Sequence, residues 1–453
     1  MRKRFLLLGV MSFIATMMFA QGWVAPKITS ADYADVKVST AAVGDTTYYY
    51  LYNIEGDGFL TNGRADNHTG QTWNTHAVIN ATGHRMFLDK YELENTAWDG
   101  KSVFINNWHD SKWQKVFAVN ENVMYVDYAD QEDAYPVWEL VKEGGNIYKF
   151  KVAESNKAEF TTEMKAQKDV SFMGFNIYDE DFVQDQRKPL TPMIDVMSEE
   201  AIADACITWA FIPEATYDAY QTAVANYTSA MALKEYLDFV KETYPAVSTA
   251  DADAVFNNTG SSAEQLDAAK AQLQEDVYNY RINTELVGAS NSDPKDATSF
   301  MTNPDFESGN ADGWTVDIGS TSASGYQGDS YQNGEVAISN FIQAWRPTYN
   351  VDTNKLGDGK MYTIVKNMPA GKYKIACDAI AVFQKAGAPA VTGVFMYVKS
   401  GSKENRREVA TEDQLPQHFE ITFAVNEKSD IELGFLTEST SASWIAADNF
   451  QLT

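Results

Sequence analysis

From Tyr373 the chain alternates without a break. Tyr373, Ile375, Cys377, Ala379, Ala381 and Phe383 are six apolar positions at strict period two. An extended chain sends successive side chains to opposite faces, so this segment is a strand with one apolar face. Such a face needs a second layer. Phe419, Ile421, Phe423 and Val425, then Ile431, Leu433 and Phe435, repeat the pattern. One-faced strands of this kind stack as a sandwich, and residues from about 299 to 453 read as an all-β domain.

The chain has 453 residues, room for two or three domains at roughly 100–200 residues each. Residues 46–213 are rich in aromatics and turn residues and carry little helical periodicity. They open with Tyr48-Tyr49-Tyr50-Leu51-Tyr52-Asn53 and an Asp57-Gly58 turn, a hairpin pattern. Trp-centred strands follow around Trp138 and Trp209, at irregular spacing. After Pro213 the period changes. Tyr217, Tyr220, Val224 and Tyr227, then Leu233, Leu237, Val240 and Tyr244, step by three and four, with a slip near Ala230. Pro245 ends that helix. A second begins at the capping-box spelling Ser261-Ser262-Ala263-Glu264 and runs through Leu266, Ala269, Leu273, Val277 and Tyr280. Two helices joined by a polar turn make 214–288 a helical hairpin spacer. A linker at Asn291-Ser292-Asp293-Pro294 then leads into a domain at 296–453.

Two stretches resemble known families. Phe300-Met301-Thr302-Asn303-Pro304-Asp305-Phe306-Glu307-Ser308-Gly309 with Gly313-Trp314, the approach Met368-Pro369-Ala370-Gly371-Lys372-Tyr373, and the ending Trp444-Ile445-Ala446-Ala447-Asp448-Asn449-Phe450 are similar to the galactose-binding-like jelly-roll modules. More loosely, Tyr49-Tyr50-Leu51-Tyr52-Asn53, Gly58-Phe59-Leu60-Thr61-Asn62-Gly63 and Thr208-Trp209-Ala210-Phe211-Ile212 resemble the ricin-type β-trefoil-like modules of secreted bacterial proteins. Gln71-Thr72-Trp73 spells the sugar-binding trefoil signature but sits in an expected loop. The expected fold class is mainly β and multi-domain: a β-trefoil-like domain, a helical hairpin spacer and a β-sandwich jelly roll.

Arg2, Lys3 and Arg4 precede an uncharged run from Phe5 to Phe19, then Ala20. That is the layout of a secretory signal peptide over residues 1–20, and the run falls short of the roughly 20 residues a membrane span requires. The expected setting is therefore secreted or cell-surface, with no membrane insertion after cleavage. A formal net charge of −27 repels phosphate backbones, which argues against nucleic-acid partners. Only Cys206 and Cys377 occur, each in an apolar stretch, and they read as buried, inert thiols.

For chemistry, the resemblance to jelly-roll modules implies carbohydrate binding, adhesion or plain spacing. Residues Tyr326 to Tyr349, read as a loop-rich stretch, offer Tyr326, Tyr331, Trp345, Arg346 and Tyr349 among amides. Tyrosine and tryptophan suit sugar sites because one edge is apolar and another forms hydrogen bonds. The alternatives are bland exposure of the tyrosines and core packing of Trp345; Trp444 reads as core. In relatives with a structural calcium, ligands come from the first and last strands, and Glu307 and Asp448 occupy the matching places. The alternative there is that Glu307 closes a turn and Asp448 bonds backbone amides. Catalysis finds little footing. No glycosidase carboxylate motif, nucleophile elbow, phosphate loop or dinucleotide fingerprint is present, and His68, His76, His84 and His109 lack zinc spacing. The leading expectation is a non-catalytic protein that binds a glycan or polysaccharide. A structural or adhesive protein binding other cell-surface proteins, and a polysaccharide-degrading enzyme or its accessory, are the alternatives.

Overall fold

The structure is a computed structural model that describes residues 22–39, 46–62, 77–92, 96–109, 111–119, 122–125, 134–153, 171–176, 193–198, 206–348 and 353–453. The expected signal peptide, Gln71-Thr72-Trp73, His68 and His76 lie outside the described residues. Contacts divide the chain into two compact units, Met1–Tyr236 with Ala252–Ala268, and Leu237–Asp251 with Ala269–Thr453.

The first unit is built from β1 (Tyr49–Asn53), β2 (Gly58–Asn62), β3 (Ala77–Asn80), β4 (Arg85–Lys90), β5 (Ser102–His109), β6 (Lys112–Val119), β7 (Asn122–Tyr125), β8 (Val137–Gly144), β9 (Ile147–Val152), β10 (Ser171–Asn176), β11 (Met193–Ser198) and β12 (Trp209–Pro213). Six of these close on themselves: β1 pairs β4, then β5, β8, β9 and β12 follow in turn, and β12 returns to β1. The remaining six form three antiparallel pairs, β2–β3, β6–β7 and β10–β11. Closure leaves the barrel strands without a free edge. Alternation decides what fills the ring. Leu51, Met86, Leu88, Val103, Ile105, Trp138, Phe150, Trp209 and Phe211 point inward and are buried. Both buried indoles find a carbonyl: Trp138 Nε1 donates to Val116 O at 2.9 Å, and Trp209 Nε1 to Met173 O at 3.0 Å. A buried indole N–H left unpaired would be costly.

Residues 214–285 carry three helices rather than the two expected. The first, α1 (Glu214–Thr243), runs unbroken through Ala230. Ala230 is itself buried and, with Leu233, Leu237 and Val240, continues a three-four spacing; the slip in the sequence is a small residue on the buried stripe. Next, α2 (Ala250–Asn257) occupies the segment expected as a polar turn, because Ala252 and Phe256, four apart, bury together on one side of it. The last is α3 (Ala263–Glu285). Its cap is shifted by one residue from the expected spelling. Ser262 Oγ accepts from Gln265 N at 3.3 Å, and Gln265 Oε1 accepts from Ser262 N at 2.9 Å, so Gln265 does the work assigned to Glu264.

The second unit contains a β-sandwich jelly roll. Its strands are β13 (Trp314–Ile318), β14 (Ala323–Asn333), β15 (Val336–Trp345), β16 (Gly359–Met368), β17 (Gly371–Val382), β18 (Val394–Ser400), β19 (Lys403–Glu408), β20 (Gln417–Val425), β21 (Ser429–Thr437) and β22 (Trp444–Leu452). They form two five-stranded sheets, ordered β13-β16-β21-β18-β19 and β14-β15-β22-β17-β20. The period-two segment is β17. Tyr373, Ile375, Cys377, Ala379 and Ala381 face the core between the sheets, together with Phe419, Ile421, Phe423 and Val425 of β20 and Ile431, Leu433 and Phe435 of β21. The stretch expected as loop-rich is instead the β14–β15 hairpin, closed by a turn in which Gly334 adopts φ 64°. Its polar composition belongs to an outward face, and glycine supplies the left-handed backbone that a two-residue hairpin turn requires.

Candidate functional site on the outer face of the second sheet

The alternation that buries Cys377 and Ala379 turns Asp378, Ile380 and Val382 to the opposite side of β17. There, Ile380 and Val382 join Ile338 and Phe341 of β15 and Trp444 and Ala446 of β22 in a separate apolar cluster. Tyr331 of β14 and Trp345 of β15 pack over this cluster while remaining only partly buried. Trp345 stands directly across from Trp444 in the β15–β22 register, and the Tyr331 and Trp444 ring centroids lie 5.0 Å apart. Amides hold both indoles. Trp444 Nε1 donates to Gln343 Oε1 at 2.9 Å, and Trp345 Nε1 to Gln384 Oε1 at 2.5 Å. Hydrogen bonding and packing together lock these aromatic side chains, so binding against them would require little further ordering.

A polar row continues along the same sheet. Asp378 Oδ1 lies 2.8 Å from His418 Nδ1, and Asp378 Oδ2 accepts from Asn449 Nδ2 at 3.1 Å. His418 is about half exposed. The face therefore combines partly exposed rings with amides, a carboxylate and an imidazole. Chemically, this is a surface that stacks a flat apolar ring and exchanges hydrogen bonds with hydroxyl groups.

Of the residues expected to bind, Tyr331 and Trp345 come together here. Tyr326 does not. Its alternation on β14 is opposite to that of Tyr331 across a register shift between Gln327 and Ser330, and it packs against the main core with its hydroxyl donating to Asn340 Oδ1 at 2.7 Å. Arg346 is also diverted: its Nη1 donates to the carbonyls of Ser320 and Lys355, both at 3.4 Å. Tyr349 lies outside the described residues. Gln343, Gln384, Asp378 and His418 were missed. The one signal that could have found Asp378 is its place between Cys377 and Ala379 in the period-two run, but its neighbours come from strands that sequence order does not place beside it.

Glu307 and Asp448 do converge. Glu307 Oε2 accepts from Asn340 Nδ2 at 3.1 Å. Asp448, almost completely buried, accepts from the backbone N–H of Ser339 at 2.9 Å and of Asn449 at 2.7 Å. Burial pushes the Asp448 carboxyl up to about 7, with the nearby charges of Glu307 and Asp305 adding to the rise and the two backbone bonds opposing it. Among the described residues no group of three or more His, Cys, Asp or Glu side chains is arranged to hold a metal ion. A calcium ion here would take most of its six to eight oxygens from elsewhere, backbone carbonyls included. The thiols behave as isolated groups: burial raises Cys377 well above the usual thiol range and Cys206 to about 11. No helix of the described residues is long and apolar enough to cross a membrane.

No protein-family profile matches the chain, and no curated protein matches it. Solved structures do. A carbohydrate-binding module, TmCBM61 in complex with beta-1,4-galactotriose, is 20% identical over 34% of this chain and 97% of its own length, with a TM-score of 0.26. The CBM22-1 xylan-binding domain of Xyn10C from Paenibacillus barcinonensis is 14% identical over 33% of this chain and 89% of its own, with a TM-score of 0.23. A Stig cyclase from Fischerella sp. TAU is 13% identical over 34% of this chain and 94% of its own, with a TM-score of 0.24. At these identities and TM-scores the likeness assigns neither ligand nor activity.

Proposed function

We propose that this chain is an exported, non-catalytic carbohydrate-binding protein whose jelly-roll unit receives a glycan on the outer face of the second sheet. The observation that carries the reading is the Tyr331–Trp345 pair, held over the Trp444 cluster by packing and by Gln384, beside the polar row Asp378, Asn449 and His418. A pyranose presents a C–H face to stack on such rings and hydroxyls to meet the amides. Glycan binding also suits a strongly acidic chain, since a neutral sugar does not feel the charge of −27. The basic and apolar N-terminal segment supports export, to the medium or the cell surface. The closed six-stranded ring with three further antiparallel strand pairs in the first unit supports a trefoil-like reading of that domain. A structural calcium at Glu307 and Asp448 belongs to the same proposal; the support is the charge of Glu307 acting on the buried Asp448 carboxyl, which a divalent cation would offset.

The test is binding of the full chain, without its first 20 residues, to immobilised neutral polysaccharides and an oligosaccharide array. Saturable binding that is lost in Trp345→Ala and Tyr331→Ala, with the thermal unfolding midpoint retained, is the expected result. Binding untouched by both changes would remove the site. No binding across the array would favour the adhesive, protein-binding reading.

A further inference from the structure

We propose that the barrel unit carries a covalent cross-link that forms without an enzyme: an amide between Lys115 Nζ on β6 and Asn106 Cγ on β5, made with the help of Asp89 on β4. The proposal concerns the first unit alone and does not depend on the glycan face.

Alternation brings the three groups together. Leu88, Val103, Ile105 and Val116 fill the barrel, so Asp89, Phe104, Asn106 and Lys115 take the opposite, outer face of their strands. In the strand register Asn106 lies directly across from Lys115, and Phe104 directly across from Asp89. Side chains opposed in this way start only about 5 Å apart at Cβ. Asn106 is buried, and its Nδ2 donates to Asp89 Oδ2 at 3.4 Å. Lys115 Nζ lies 3.7 Å from the centroid of Phe104, the next residue but one before Asn106 on β5, and Tyr91 meets that ring edge-on at 5.3 Å. The amine thus rests on an aromatic face, one side-chain rotation from the amide carbon. The carboxyl is already on the amide.

The same surroundings prepare the chemistry. Burial holds the Lys115 ammonium below its usual range and the Asp89 carboxyl above its own, and in each case it outweighs the charge of the other group. Both shifts favour a neutral amine beside a protonated acid, the forms that the reaction uses. The Nζ lone pair forms the new bond to Asn106 Cγ while Asp89 gives its proton to Oδ1. The carboxylate then takes a proton from Nζ and passes it to Nδ2, which leaves as ammonia with the electrons of the broken Cγ–Nδ2 bond. Oδ1 returns its proton to Asp89 as the carbonyl re-forms. The products are a secondary amide, ammonia and an unchanged Asp89; nothing is oxidised or reduced, and no co-reactant is required. Attack of an amine on an amide is slow in water, and held geometry is what brings it within reach. The link ties β5 to β6, which the two cysteines, free and in different units, cannot do for this barrel.

Mass spectrometry of the full chain, held at neutral pH after purification, tests this. A linked chain weighs one ammonia less than its sequence. Trypsin cuts after Lys101, Lys112 and Lys142 but is blocked at an acylated Lys115, so the link yields a branched pair, 102–112 joined to 113–142. That pair is the expected result. Lys115→Arg, which keeps length and charge over Phe104, and Asp89→Ala should each restore the full mass of the chain and abolish the branched pair, with the far-UV circular dichroism unchanged. The inference is overturned if the folded parent chain shows its full sequence mass and is cut after Lys115. It is overturned equally if the missing mass is one water, which would place the amide on Asp89 itself. A branched pair that persists in Asp89→Ala would remove the proton-carrying role given to that carboxyl.

Discussion

Gly434 lies in the central strand β21 of the first jelly-roll sheet, paired with Tyr362 on one side and Tyr397 on the other. Its φ is +150°, and a Cβ built there would sit 2.0 Å from the Met361 carbonyl oxygen and 2.8 Å from Tyr362 Cα. Both atoms belong to backbone and cannot swing aside. Gly434→Ala therefore forces β16 and β21 apart by roughly 1 Å, enough to weaken the ladder hydrogen bonds flanking the site. Two such bonds at about 1 kcal/mol net each, with about 1–2 kcal/mol for an unfavourable backbone conformation, give a loss of about 3–4 kcal/mol. Gly401 is the control. It also has a positive φ, +59°, but nothing lies within 4 Å of its built Cβ, so Gly401→Ala should cost only the backbone strain, about 1 kcal/mol. Denaturant unfolding read by hydrogen exchange in β18 and β21 peptides isolates this unit from the other. The reasoning is refuted if Gly434→Ala costs no more than Gly401→Ala, which would mean that the two strands can separate freely.

Three further outcomes are expected. Burial alone would raise the Glu432 carboxyl, but bonds from Lys360 Nζ at 2.7 Å and Tyr397 OH at 2.7 Å hold it below the usual range. A depressed folded-state pKa gives stability above the unfolded-state value that is lost as pH falls; Glu432→Gln should destabilise at neutral pH, and the gap from the parent should narrow through the acid range in equilibrium unfolding. Cys377 should resist a thiol reagent until the protein unfolds, while Cys206, only half-buried, should react slowly in the native state; equal native rates in a timed labelling experiment would contradict this. Ser262→Ala should cost about 1 kcal/mol by loss of the α3 cap, whereas Glu264→Ala should cost little, a comparison that circular dichroism during thermal unfolding can make.

Alternation was enough to find β17, β20 and β21. Period two at Tyr373–Ala381 carries its own physical meaning, because each side chain is assigned to a face by the backbone alone, and the core between the jelly-roll sheets follows. The long helices were legible for the same reason, with a period of three to four in place of two. What composition concealed was local. A polar, amide-rich segment reads as loop, yet β14 and β15 are strands because one side rests on the sandwich and the other is free to be polar. The α2 helix went unseen because only Ala252 and Phe256 mark its buried side.

Closure and adjacency are a different matter. Nothing in Tyr49–Asn53 says that it will pair with Arg85–Lys90 and with Trp209–Pro213, and so complete a ring. Nor does the spacing of Tyr331, Trp345, Asp378, His418 and Trp444 say that five strands, β14, β15, β17, β20 and β22, will bring them to one face, while Tyr326 and Arg346, closer in sequence to Tyr331 and Trp345, are turned elsewhere. Local sequence sets which face of its own strand a side chain occupies. Which strands become neighbours is decided by burying every apolar face and pairing every backbone amide at once, and that condition belongs to the whole chain.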